Sequence, residues 1–156
     1  MPKFSKSSLD KLQTCERDIV IICNEVIKFR DCKVLYGYRD EVTQNKLFNS
    51  DPPVTKARWP QSKHNKFPSL AVDLVPWPIP EDWGRLPWPP ASSEDMRYRA
   101  RIFAQFYEFA GYVMATVDQF HKEGKIDTDL KWGGDWNMNL DFNDQRFHDL
   151  PHFQLV

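Results

Sequence analysis

From Leu9 onward the apolar residues Leu9, Leu12, Ile19, Ile22, Cys23, Val26 and Ile27 recur at intervals that fall on one face of a helix. Ser7-x-x-Asp10 resembles a capping box at the start of this stretch. One helix is therefore predicted from about Ser7 to Phe29. Lys33 to Tyr38 is short, β-branched and aromatic and predicts a strand, and Asp40 to Phe48 predicts a short helix. Asn49 to Phe67 is polar and broken by prolines, so it reads as loop. Leu70 to Val75 predicts a second strand. Residues 76–90 are crowded with tryptophan and proline and can be neither helix nor central strand, because proline removes backbone donors. They read as a loop bordering a cleft. Ser92-x-x-Asp95 marks a second helix start, and the longest helix is predicted over about Glu94 to Lys122. Its apolar face is Ile102, Phe103, Phe106, Phe109, Ala110, Val113, Val117 and Phe120. A last strand, His152 to Val156, ends the chain. Helices and strands alternating between long irregular loops predict a small α+β domain in which helices cover one sheet.

At 156 residues the chain has room for one core, so residues 1–156 are expected to form a single domain. Lys plus Arg number 21 against 22 Asp plus Glu, which leaves no global basic field to attract nucleic acid. No apolar run approaches the roughly 20 residues of a membrane span, so no membrane insertion is expected. Met1 to Lys6 lacks the apolar segment of a secretion signal, and a cytoplasmic chain is expected. Cys15, Cys23 and Cys32 are odd in number and all near the start. Along one helix Cys15 and Cys23 would lie about 12 Å apart at the helical rise per residue, beyond disulfide reach. Buried thiols are the reading.

The candidate chemistry lies elsewhere. A catalytic zinc takes three protein ligands, commonly histidine and carboxylate, and keeps one position open. Asp73 stands between Val72 and Leu74 on a strand that reads as buried, where an acid is costly unless paired or metal-bound. His64 shortly precedes that strand, and His152 begins an otherwise apolar one. Asp149, three residues before His152 across a Leu-Pro turn, is spaced to serve as a general base. Taken singly, each has a plainer reading: a loop histidine, a buried ion-pair acid, a turn residue. His148, beside Asp149, competes as a ligand.

Ser62-Lys63-His64, Ala71-Val72-Asp73, Trp132-Gly133-Gly134-Asp135-Trp136 and Asp149-Leu150-Pro151-His152 occur in that order, preceded by Tyr36-Gly37-Tyr38-Arg39 and Gln44. Together they resemble the zinc D-alanyl-D-alanine carboxypeptidases and phage L-alanyl-D-glutamate endopeptidases (endolysins). The resemblance runs from about residue 34 to the end. It implies an antiparallel sheet flanked by helices, with a zinc site on one face of the sheet. His64, Asp73 and His152 would be the zinc ligands and Asp149 the general base. Arg39 would steady the oxyanion or substrate carbonyl, and Ser62 and Asp135 would be substrate-binding or supporting groups. One departure stands out: Asp73 follows His64 by nine residues, where the family has seven with a glycine between, so a longer turn containing Pro68 is expected.

The activity implied is zinc-dependent hydrolysis of peptidoglycan stem peptides, by a monomer held in the host cytoplasm until release to the wall. A D-alanyl-D-alanine carboxypeptidase is the alternative of the same class, and a non-catalytic zinc-binding interaction module the alternative of another.

Overall fold

In the computed structural model, which describes residues 1–79, 83 and 92–156, the chain folds as α+β. Its helices are α1 (Lys6–Leu12), α2 (Arg17–Phe29), α3 (Glu41–Phe48) and α4 (Ser93–Lys122), with a short 3-10 turn at Lys63–Asn65. Its strands are β1 (Cys32–Tyr36), β2 (Ala71–Pro76), β3 (Leu130–Trp132) and β4 (His152–Leu155), in the spatial order β1-β2-β4-β3. Every pairing is antiparallel.

Side chains on a strand alternate between the two faces of a sheet. Val72, Leu74 and Phe153 join α2 and α4 in one apolar core, and the Phe153 ring meets Phe109 of α4 edge-on, with centroids 6.3 Å apart. Each phenylalanine is fully buried, worth roughly 1.5–3 kcal/mol. The alternation turns Asp73 and His152 to the opposite face. No helix among the described residues is long and apolar enough to cross a membrane.

The first predicted helix is in fact two. Ser5 rather than Ser7 caps α1, and the chain breaks at residues 13–16 before Glu16 caps α2. A tertiary contact takes the backbone there: Ser69 N donates to Thr14 O at 2.8 Å and Glu16 N to Ser69 O at 2.9 Å. Cys15 therefore bridges to Ser69 and does not share a helix with Cys23, although all three cysteines are buried and free. On α4 the predicted apolar face holds except at Phe103, which is 42% exposed. Pro76 ends β2 opposite Cys32, beyond the reach of β4, where its missing N–H leaves no ladder bond unmade. The 3-10 turn falls in a segment that the pattern reads as loop, and β3 in one to which the pattern assigns no element. Residues 80–82 and 84–91, most of the Trp/Pro segment read as a cleft border, lie outside the described residues.

One buried acid ties the first half of the chain to the second. Asp18 on α2 accepts hydrogen bonds from Asp127 N (3.0 Å), Thr128 N (3.3 Å) and Thr128 Oγ1 (3.1 Å), and pairs with Arg17. Burial acts to raise its pKa, but these donors together outweigh burial and hold the carboxyl below its ordinary value. The segment so anchored leads directly into β3.

Candidate metal centre

Register brings the first two groups together: Asp73 on β2 sits directly opposite His152 on β4. The third arrives on the 3-10 turn. Ser62 caps that turn, its hydroxyl accepting from His64 N at 3.2 Å while Asn65 Oδ1 accepts from Ser62 N at 3.0 Å. Asp73 Oδ1 then lies 3.0 Å from His64 Nε2 and 3.0 Å from His152 Nδ1, and the two ring nitrogens are 3.2 Å apart. All three residues are buried. The long His64–Asp73 spacing is absorbed by a turn at residues 66–69, which returns to the 3-10 segment where Leu70 N donates to Lys63 O at 3.2 Å.

The outer nitrogen of each ring sets its tautomer. His64 Nδ1 lies 2.6 Å from Gly37 O, and a carbonyl can only accept, so Nδ1 carries the hydrogen. His152 Nε2 lies 3.1 Å from Gln154 Oε1 and, with the amide in this orientation, donates to it. Both inner nitrogens are thereby left as lone pairs, aimed at each other and at a carboxylate oxygen. Three acceptors so close repel one another unless a proton or cation lies among them. Tetrahedral zinc, with ligands at about 2.0–2.1 Å, spaces those ligands roughly 3.3 Å apart. The observed separations and the donor set of two imidazoles and one carboxylate therefore fit zinc.

Charge around the trio is arranged to keep Asp73 ionised. Burial would raise its pKa, but the His64 charge, hydrogen bonds that both rings donate when their inner nitrogens are protonated in place of a metal, and Arg39 hold it well below the carboxylate range. Arg39 is itself buried, pairs with the second carboxylate oxygen of Asp73, and lies 4.2 Å over the Tyr36 ring. Its Nε is buried without a hydrogen-bond partner. Burial lowers the pKa of His64 against the pull of Asp73. For His152 burial also acts downward, but the Asp73 hydrogen bond and charge, with Asp149, carry it upward.

Asp149 enters on the loop after β3. Its N–H donates to Gly133 O at 2.9 Å, Gly133 N donates to His152 O at 2.8 Å, and His152 N donates to Asp149 O at 3.0 Å. A Cβ at Gly133 would overlap the Asp149 carbonyl, so this approach requires glycine. Gly37 is constrained likewise, since a Cβ there would overlap Lys11 O and the Thr14 hydroxyl. The Asp149 carboxyl is half-buried, and burial, then the Asp73 charge, push its pKa up, with His152 and Arg39 opposing. It thus shares one electrostatic field with the trio.

The remaining candidates separate. The Ser62 hydroxyl is occupied as a cap. Asp135 accepts from Asn139 N (3.2 Å) and Leu140 N (3.0 Å), closing its own loop. His148 is exposed and stands outside the metal cluster. Trp132 is buried core, whereas the Trp136 ring lies over His152 with centroids 5.6 Å apart. The sequence reading passed over Gln154 and the Gly37 carbonyl. Gln154 was legible in principle, because a residue two after His152 on a strand shares its face.

The fold is shared with the crystal structure of the L-Ala D-Glu endopeptidase ChiX from Serratia marcescens, at a TM-score of 0.55. The two chains are 20% identical, and the match covers 99% of this chain and 90% of that one. No protein-family model and no curated protein sequence matches the chain.

Proposed function

We propose that this chain is a zinc peptidase that hydrolyses peptidoglycan stem peptides at the L-alanyl-D-glutamate bond, in the setting of a phage endolysin. The observation that carries the reading is the convergence of His64 Nε2, Asp73 Oδ1 and His152 Nδ1, with both histidine tautomers set from outside and Asp149 alongside. The fold shared with an L-Ala D-Glu endopeptidase supports the substrate class, and the ordered motifs support the endolysin setting.

Bound at the trio, zinc would supply Lewis acidity toward a carbonyl and acidify water. The chain's own residues do the rest. Asp149, its carboxyl pushed up by burial, takes a proton from the attacking water and returns it to the leaving amine. Arg39 holds Asp73 in place with one nitrogen, and its buried charge favours the negative oxygen of the tetrahedral adduct. Trp136 walls the site beside His152.

Mass spectrometry of fragments released from purified peptidoglycan tests the reading. New amino-terminal D-Glu with intact glycan strands is expected. Free D-Ala alone would assign the carboxypeptidase activity instead. No fragment from metal-loaded protein would leave the non-catalytic module.

A further inference from the structure

A cavity of about 340 Å³ opens between α4 and the loop that follows β3. Tyr107, Gly111 and Asp118 line it from one stripe of α4, at helical spacing, and Trp132, Asp135 and Phe142 close it from the other side. The three aromatic rings form a mutual edge-to-face cluster, with centroids 5.0, 5.1 and 5.9 Å apart. Asp118 and Asp135 line the same cavity as these rings, and none of the residues lining it is basic. Asp135 is buried and fixed by two backbone N–H groups. Asp118 is exposed and makes no ion pair among the described residues.

Gly111 stands in the middle of a 30-residue helix, where glycine lowers stability relative to alanine. No tight packing demands it, since a Cβ there would meet nothing within 4 Å. What its missing side chain leaves is the open volume itself. Aromatic faces attract cations, and a carboxylate beside them adds a full opposite charge. An apolar stem bearing one positive group complements both features, whereas an anionic ligand would face two acids.

We propose that this cavity binds an aliphatic ammonium group, the side chain of a diamino acid in a peptide. As a subsite for the wall peptide the proposal rests on the peptidoglycan reading, but the binding event does not. The test uses the full chain, with backbone and indole NMR resonances followed during titration with Nα-acetyl-L-lysine methylamide. Saturable shifts are expected at Gly111 and at the Trp132 indole. The uncharged norleucine analogue should bind at least 10-fold more weakly. Gly111→Leu, which fills the cavity from a helix position that favours leucine, should abolish the lysine shifts. Asp118→Asn, which keeps the shape, should weaken them about 10-fold, the scale of one charge-assisted contact. Equal binding of the two probes, or shifts that survive Gly111→Leu, would overturn the proposal. A protein that binds the lysine probe yet releases nothing from wall keeps the cavity and loses the peptidase reading. One that cleaves wall but ignores the probe loses the cavity alone.

Discussion

Asp73 and His152 face each other across paired strands, and His64 is pinned by its bond to the Gly37 carbonyl, whereas Asp149 hangs on a turn between Gly133 and His152. The ligand side is held by strand register and by a fully buried core beneath it. The base side is held by three backbone hydrogen bonds and by the absence of a side chain at Gly133. On the proposed reading, metal binding and proton transfer thus rest on different elements that meet at the backbone of His152. Paired strands suit two ligands, Asp73 and His152, that must stay about 3 Å apart, and a loop suits an acid that must reach toward substrate. Changes on one side should leave the other measurable.

The largest separation is expected from Asp149→Asn. The change is nearly isosteric and touches no ligand, so metal content and fold should survive. Turnover should fall by roughly 100-fold or more, the scale of a lost general base. Retention of near-normal rates would make another group the base and break the division between the two regions.

Gln154→Leu probes the opposite side. Without the Oε1 acceptor the His152 ring loses the bond that fixes its inner lone pair. Metal affinity should weaken by about 10–100-fold, measured by competition with a chromophoric chelator. An unchanged affinity would show that strand register alone orients the ring.

A smaller effect is expected at Asp18, remote from both. Asp18→Asn leaves the donors of Asp127 and Thr128 poorly matched and should cost about 1–3 kcal/mol of stability at neutral pH. Because the folded pKa of Asp18 is depressed, its contribution is present above the unfolded carboxylate value of about 3.9 and is lost as pH falls through the folded value. The stability gap between the parent and the variant, read by denaturant titration, should therefore close below about pH 4. A gap that persists there would mean that shape, not charge, is the source.

Period and burial made the ligand side legible in the sequence. Asp73 stood out as an acid among apolar neighbours, and His152 as the polar start of an apolar strand; both lie where that pattern puts them. The long helix was equally plain, because its apolar stripe spans many turns. The break at residues 13–16 was not, since it depends on Ser69, more than fifty positions away, capturing the backbone of Thr14 and Glu16. Strand β3 is three residues long, too short for a period to register, and exists because β4 supplies its partner. Ser62 and Asp135 sit in recognisable motifs, yet their oxygens accept local backbone hydrogens, a use that spacing cannot distinguish from substrate binding. The family resemblance implies a carbonyl-binding cation at Arg39, and its pairing with Asp73 becomes evident only in three dimensions.

Metal analysis of the purified chain beside His152→Ala tests the central claim most directly. The account expects one zinc per parent chain, none in the variant, and a higher melting temperature for the metal-loaded parent than for the chelated one, because a ligand of the folded state adds to its stability. A full equivalent of zinc retained by His152→Ala would contradict it.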